Sequence, residues 1–228
     1  YFIALSASPQ IMDPIGTYSL EVNANTDLQD QHSESREGAT PIGFGTVYNG
    51  AISPKDDFDF FSFPAKRGAR YSINAGAGAA VAISVGNPVE GSVVSKEDAG
   101  SQLEWIATAD GTYFVILSAS NRVDDGVGSY SLTVKADSTL EDRHSDFPNS
   151  ATSISFGNLV AGAISPIEDK DRFSFPALRG VMYTFELTYG SAEAVSLSVD
   201  PLDGSGTPVA ANYGEETSVT WVAETTGT

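Results

Sequence analysis

The sequence has no cysteine and only two methionines and two tryptophans among its 228 residues. Without cysteine, no disulfide can stabilise the fold, and no thiol can act as a nucleophile or a redox group. Basic residues are also scarce: 12 lysines and arginines stand against 30 aspartates and glutamates, giving a formal net charge of −18. Such a charge opposes binding to nucleic acid or to anionic lipid, and it attracts cations.

Two hydrophobic patterns are missing as well. No stretch approaches the roughly 18 consecutive apolar residues that a membrane-spanning helix needs, so no membrane insertion is expected. Apolar residues rarely recur at the helical spacing of three and four. Short alternating segments bounded by glycine, proline, asparagine and aspartate are common instead, for example YSLEV, FFSFPA, RYSINA, YSLTV and MYTFEL. This pattern predicts an all-β fold of antiparallel sandwiches.

The chain contains a long internal repeat. NGAISP matches AGAISP, and DFFSFPAKRG at positions 59–68 matches DRFSFPALRG at positions 171–180. In the last part of the repeat the spacing between matched positions is slightly longer, as Trp105 and Trp221 show. Both tryptophans alternate with apolar neighbours and are assigned to the cores. A repeat of this length can enclose its own core, so we predict tandem antiparallel β-sandwich modules.

The opening of the chain resembles the end of a module. YFIALSAS and GTYSLEV near the start match YFVILSAS and GSYSLTV within residues 113–134. Their alternation predicts a hairpin of two strands, Tyr1 to Ser8 and Thr17 to Val22. The chain therefore divides into a hairpin of the preceding-module type (1–22), a complete module (23–134, the first module) and a module that lacks its last two strands (135–228, the second module).

A sandwich without this hairpin exposes an apolar face and unpaired strand edges, and a hairpin alone is marginal in water. Three arrangements satisfy both: the chain is an excerpt of a longer tandem array, a neighbouring chain donates the hairpin, or the chain closes on itself. The first two are favoured, because the hairpin is joined directly to the first module. The expected partners are copies of the chain joined head to tail, or adjacent modules of one long chain. The predicted partner-binding residues in the hairpin are Tyr1, Ile3, Leu5, Tyr18, Leu20 and Val22.

The segment DFFSF carries a second candidate contact surface. Alternation places Phe61 and Phe63 on the core face. Phe58 and Phe60 fall on the opposite face, where the second repeat has lysine and arginine. Phe58 and Phe60 are therefore candidate partner-binding residues, unless a loop or a neighbouring module covers them.

The two histidines occupy one equivalent position, in DQHS and DRHS. Neither is accompanied by a G-x-S-x-G elbow, an H-E-x-x-H pair or another recognisable catalytic set. An active site rarely needs two copies in one chain. We therefore predict that the chain is not an enzyme.

Acidic residues cluster at matched places in both repeats. Calcium accepts six to eight oxygen ligands in irregular loops, so carboxylates at the start of a strand suit it. Such carboxylates also commonly cap loop amides, and Asp59 and Asp171 have the position of loop braces. The candidate calcium ligands are Asp30, Glu34, Asp57 and Asp59 in the first module, and Asp142, Asp146, Asp169 and Asp171 in the second.

In their order and spacing, these motifs resemble the bacterial pre-peptidase C-terminal domain family. The shared elements are D-x-H-S, A-T-x-I, D-x-D-x-F-x-F, W-x-A and G-x-Y-x-L-x-V, and the second module repeats most of them. The resemblance implies a jelly-roll-like sandwich in secreted bacterial proteins, often beside a protease domain. It also implies that some members bind calcium or an extracellular polymer.

These observations favour a non-catalytic structural or adhesive repeat protein at the cell surface or outside the cell. It would assemble head to tail into a fibre or surface array through strand complementation. The alternative is an accessory substrate-binding module of a secreted bacterial hydrolase such as a protease.

Overall fold

The structure of the chain is a computed structural model. It describes residues 1–6, 16–24, 29–77, 81–89, 91–97, 102–122, 126–188, 195–200, 208–212 and 218–228. Within these ranges the regular elements are β-strands and two single 3-10 turns, Ser138–Leu140 and Pro148–Ser150. These ranges include no helix long and apolar enough to cross a membrane. The predicted all-β class is confirmed.

The first part of the chain contributes nine strands. They are β1 (Thr40–Pro41), β2 (Val47–Ile52), β3 (Phe58–Ala65), β4 (Arg70–Ala77), β5 (Val81–Asn87), β6 (Gly91–Lys96), β7 (Gln102–Ile106), β8 (Gly111–Ala119) and β9 (Gly128–Asp137). One sheet has the order β1-β3-β8-β5-β6 and the other the order β2-β9-β4-β7. All pairings are antiparallel except that of β1 with β3.

Both sheets contribute side chains to one hydrophobic core. Along β3, the alternation buries Phe61 and Phe63, as their sequence pattern predicts, and leaves Phe58 exposed. Trp105 is half-buried and packs on this core, with its ring centroid 4.6 Å from that of Tyr113. The sandwich therefore follows from strands in which every second residue is apolar.

The second part of the chain contributes six shorter strands. They are β10 (Thr152–Ser153), β11 (Phe173–Ser174), β12 (Met182–Glu186), β13 (Leu197–Val199), β14 (Ala210–Asn212) and β15 (Ser218–Val222). They form three two-stranded pairs, β10-β11, β12-β15 and β13-β14. The registers match the first module where both partners exist: Thr40 lies opposite Phe61, and Thr152 lies opposite Phe173.

The core of the second module is open. Phe61 is 0% exposed, whereas its counterpart Phe173 is 40% exposed. Ile52 is 0% exposed, whereas its counterpart Ile164 is 42% exposed. The residues matching β2, 159–164, form no strand. In the first module, β8 and β9 cover these positions and pair with β2, β3, β4 and β5.

The described residues of the predicted hairpin form no strand within the single chain. Residues 1–6 and 16–24 belong to no strand, and the hairpin turn, 9–15, lies outside the described residues together with Ser8. Large apolar side chains of both segments are exposed, Tyr1 and Tyr18 among them. The physical reason is that two strands alone bury too little apolar surface to offset the entropy of ordering them.

Candidate functional site

A buried carboxylate joins three strands of the first module. Asp59 on β3 is 0% exposed, and the hydroxyl of Tyr130 on β9 donates a hydrogen bond to its Oδ2 at 2.5 Å. Gly50 on β2 permits this approach, because a Cβ atom there would collide with the Tyr130 hydroxyl. Burial raises the pKa of Asp59 to about 6. The hydrogen bond therefore links β9 in one sheet to β3 in the other. Because the site is buried, removing either partner would leave the other without a hydrogen bond, which costs stability.

Histidine packs beside this carboxylate in both modules. The His32 ring nitrogens lie 3.0 Å from Thr40 Oγ1 and 3.1 Å from Asn49 O. His144 repeats both contacts at 3.0 and 3.2 Å. The His32 ring also lies 4.6 Å from the Phe61 ring. These contacts tie the loop before β1 to the core.

In the second module, no tyrosine of the described residues donates a hydrogen bond to the matched carboxylate, Asp171. Asp171 Oδ1 is buried and accepts no hydrogen bond from the described residues, and the same is true of Asp59 Oδ1. Burial raises the pKa of Asp171 to about 6, as it does for Asp59. The residue one repeat before Tyr130 is Tyr18, whose side chain is 76% exposed. Asp171 and Tyr18 thus occupy the sequence positions that Asp59 and Tyr130 occupy in the first module.

We expect Tyr130→Phe to lower the free energy of unfolding by about 1–3 kcal/mol, because Asp59 then loses its hydroxyl donor inside the core. The matched control is Tyr18→Phe, which should change the stability of the single chain by less than about 0.5 kcal/mol, since Tyr18 is exposed. Urea denaturation of the two variants measures the difference. Equal effects of the two substitutions would contradict a stabilising role for the hydrogen bond between Tyr130 and Asp59.

A pH prediction follows from the raised pKa of Asp59. Its folded-state pKa is about 6 against an ordinary value of 3.8, so the folded state holds the proton more tightly than the unfolded chain. This stabilisation is complete below about pH 4 and is lost as the pH rises through 6. We expect Asp59→Asn to remove about 2–3 kcal/mol of this pH dependence, measured by urea denaturation between pH 4 and 7. An unaltered pH profile in the variant would refute it.

The predicted calcium ligands fall into two clusters. Asp30, Glu34 and Asp57 each place a carboxylate oxygen within 4.8 Å of the others, and we call them the first acidic cluster. Asp57 is 1% exposed; its Oδ2 accepts the Ser53 backbone N–H at 2.9 Å, and its Oδ1 has no partner among the described residues. Burial raises the pKa of Asp57. Asp59 lies outside this cluster, because it is paired with Tyr130.

In the second module, Asp142, Asp169 and Asp171 lie within 4.8 Å of one another in the same way. An arginine of the first module enters this cluster. Arg67, in the turn between β3 and β4, bonds Asp142 and Asp169 through Nη1, the latter at 2.9 Å. Its Nη2 lies 3.2 Å from Asp146 Oδ2. Arg67 is thus paired with three carboxylates, Asp142, Asp146 and Asp169, and we call these three the second acidic cluster. This name leaves out Asp171, which Arg67 does not pair with.

The backbone of the same turn is held equally closely. The Asp142 N–H donates to Arg67 O, and the Ser165 hydroxyl donates to Gly68 O, both at 2.9 Å. Gly68 has φ +78°, and a Cβ atom there would lie 2.5 Å from the carbonyl oxygens of Leu140 and Ser165. The turn Arg67-Gly68 therefore fits tightly against the second module. Arg67 is not among the binding residues predicted from the sequence, although its Arg-Gly pair recurs at 179–180.

The other predicted partner-binding residues remain accessible. Phe58 is 45% exposed, and Phe60 beside it is half-buried. The backbone N–H of Phe60 donates to Ser33 O at 3.0 Å, so the loop before β1 lies along this edge of β3. The exposed hairpin side chains are Tyr1, Ile3, Leu5, Tyr18, Leu20 and Val22.

No protein-family model and no curated protein matches the chain. Solved structures of bacterial β-domains are similar to part of it. The pre-peptidase C-terminal domain of a Bacillus anthracis collagenase is 20% identical, with a TM-score of 0.37, over 46% of this chain and 100% of that one. The periplasmic inhibitor of g-type lysozyme from Aeromonas hydrophila is 18% identical, with a TM-score of 0.36, over 43% and 96%. The Salmonella Typhimurium inhibitor is 16% identical, with a TM-score of 0.36, over 43% and 98%. These similarities concern the fold alone.

Proposed function

We propose that this chain is a non-catalytic, extracellular structural or adhesive repeat protein. Its modules join head to tail by strand complementation, so that residues 1–22 of one copy complete the second module of the copy before it. The observation that carries the proposal is that Asp59 accepts a hydrogen bond from Tyr130, whereas no tyrosine of the described residues donates to its counterpart Asp171 and the matching Tyr18 is exposed. In the complemented module, Tyr18 would donate to Asp171 as Tyr130 donates to Asp59.

The strand register supports the same arrangement. The ladder of β3 with β8 begins where Ala65 lies opposite Gly111. The second module repeats this pairing as the antiparallel bridge of Ala177 with Gly227. Residues 1–6 match residues 113–118, which continue the ladder in the first module. A donated strand would therefore extend a register that this bridge already starts.

Apolar burial supplies the driving force. The six hairpin residues match positions of β8 and β9 whose side chains are at most 4% exposed. Fully burying a large aliphatic or aromatic side chain contributes about 1.5–3 kcal/mol. The acceptor offers exposed apolar residues in return, Ile164 and Phe173 among them. The matched buried positions are Tyr113, Val115, Leu117, Tyr130, Leu132 and Val134.

The test is self-association of the full chain, followed by sedimentation velocity at increasing concentration. We expect head-to-tail oligomers, and we expect deletion of residues 1–22 to abolish them. A synthetic peptide of residues 1–22 should bind the deleted chain and raise its melting temperature, because it restores the missing strands. A full chain that stays monomeric, with no binding of the peptide, would refute the proposal.

The first acidic cluster supports calcium binding in a chain that is not joined to another copy. Three carboxylate oxygens and loop backbone suit this ion, and the ion pairs among the described residues involve other carboxylates. We expect calcium to raise the melting temperature, and we expect Glu34→Gln to reduce the shift. The matched control, Asp146→Asn, should leave the shift in place, because Arg67 occupies the second acidic cluster. A melting temperature that does not respond to calcium would contradict this.

A second candidate function is that of an accessory module that binds a polymer beside a hydrolase domain. The exposed Phe58 on the outer face of β3, with Phe60 beside it, favours this alternative. Phe58→Ser should then weaken pull-down of the chain by an insoluble extracellular polysaccharide or protein polymer. Lys170→Ser, at the matched position of the second module, is the control. Equal retention of both variants would reject this function.

A further inference from the structure

We infer that the turn Arg179-Gly180 of one copy docks on the first acidic cluster of the next copy. This deepens the proposed function and rests on it, because the same neighbour must donate its hairpin. The template is the contact inside the chain, where Arg67 pairs with Asp142, Asp146 and Asp169. Arg179 is the counterpart of Arg67 in the second repeat, and the first acidic cluster is the counterpart of the second acidic cluster in the first repeat.

The first acidic cluster resembles the arginine-bound second acidic cluster, but no arginine of the described residues is paired with it. Asp57 holds its Oδ2 on the Ser53 N–H at 2.9 Å, as Asp169 holds its Oδ2 on the Ser165 N–H at 2.8 Å. Asp169 Oδ1 accepts Arg67, whereas Asp57 Oδ1 is buried and has no partner in the described part of the chain. A buried, unpartnered carboxylate oxygen therefore points to a cationic ligand.

The turn Arg179-Gly180 has the shape of the docked turn before any partner is present. The Arg179 N–H donates to Thr226 Oγ1 at 3.1 Å, as the Arg67 N–H donates to Asp110 at 2.8 Å. Gly180 has φ +80°, close to the +78° of Gly68. Within the described ranges, the exposed Arg179 side chain makes no ion pair.

Gly68 lies against the second module, whereas the space around Gly180 is open. This is the difference expected between a turn that is docked and a turn that is not. A Cβ atom on Gly68 would strike the backbone of the second module at 2.5 Å. A Cβ atom on Gly180 would meet nothing within 4 Å. The space that the second module fills around Gly68 is therefore open around Gly180.

The hairpin and the first acidic cluster of one copy are close in sequence, so both would contact the same neighbouring copy. In the first module, β9 completes the sandwich and leads within a few residues to Asp142, which receives Arg67 of that same sandwich. Residues 16–22 and Asp30 repeat this succession one module earlier. A copy that donates its hairpin thus presents its first acidic cluster to the Arg179 of the completed module. A guanidinium suits the site because its fork bonds several carboxylates at once.

The experiment is a charge swap in the full chain, with sedimentation velocity measuring the dissociation constant of self-association. Arg179→Glu and Glu34→Arg should each weaken association about tenfold or more, since close charge pairs across an interface couple by more than about 1.4 kcal/mol. The double variant, which restores opposite charges, should return to within about threefold of the wild type. Lys96→Glu, which makes the same charge change on β6, is the control and should associate normally.

The outcomes separate this inference from the proposed function. If both single variants associate like the wild type while deletion of residues 1–22 abolishes association, the arginine contact is wrong and strand complementation stands. If the double variant stays as weak as the singles, the two residues do not pair and the inference is overturned. If the wild-type chain does not associate at all, both proposals fall. Circular dichroism melts of each variant confirm the fold.

Discussion

Leu132→Asp is expected to unfold the first module, whereas Leu20→Asp is expected to leave the single chain as stable as the wild type and to abolish its self-association. The two leucines occupy matched positions, and Leu132 is 0% exposed between the sheets while Leu20 is 54% exposed. An unpaired carboxylate in a core costs more than about 4 kcal/mol, a large share of the stability of a domain. On an exposed segment the same change costs almost nothing.

Urea denaturation and sedimentation velocity together measure this pair of effects. Leu132→Asp should shift or remove the unfolding transition of the first module. Leu20→Asp should change only the oligomer distribution. Wild-type association of the Leu20→Asp variant would mean that the hairpin is not the donated element. A large loss of single-chain stability in the same variant would mean that the hairpin packs within its own chain.

Arg67→Ala is expected to lower the free energy of unfolding by about 2–3 kcal/mol. Removing one partner of a buried ion pair leaves the other charges uncompensated, at a cost of about 3–5 kcal/mol when the pair is fully buried. The Arg67 side chain is 23% exposed, so part of this cost is screened by solvent. Asp169, whose side chain is 0% exposed, then has no ion-pair partner among the described residues.

The pH dependence of this effect has a definite sign. Without Arg67, burial and the neighbouring carboxylates raise the pKa of Asp169 further than in the wild type. The variant is therefore destabilised most at neutral pH, and its deficit shrinks as the pH falls toward 4 and the carboxyl takes up a proton.

The matched control is Arg179→Ala, which removes an arginine from the same kind of turn with no cluster against it. It should change the stability of the single chain by less than about 0.5 kcal/mol. Because Arg67 joins the two modules, its loss should also separate their unfolding into two urea transitions. One shared transition and a loss equal to that of Arg179→Ala would contradict the assigned junction.

Local alternation predicted much of the fold. The segment DFFSF buries Phe61 and Phe63 and turns Phe58 outward, because successive side chains of a strand point to opposite faces. The matched spacing of the repeat located equivalent strands and the two acidic clusters. Asp59 was also predicted to be a calcium ligand from the sequence, whereas the structure pairs it with Tyr130, 71 residues away. The pattern of one strand does not indicate which distant side chain crosses to it.

Arg67 shows the same limit at the module junction. It is 75 residues from Asp142 and 102 residues from Asp169, and an isolated arginine in a turn carries no local sign of a partner. Its role is visible only where the turn and the loop around Ser165 meet. A contact of this kind depends on how two folded units approach each other, and that is a property of their packed surfaces.

By itself, the amino-acid sequence determined the all-β class, the tandem repeat, the faces of the strands and the match of residues 1–22 to β8 and β9. These depend on short-range periodicity and on comparison of the chain with itself. Only the tertiary structure decided that Tyr130 satisfies Asp59, that Asp171 lacks such a donor among the described residues, and that Arg67 enters the second acidic cluster. Burial and hydrogen-bond geometry arise when distant segments pack together, so they exist only in the folded chain.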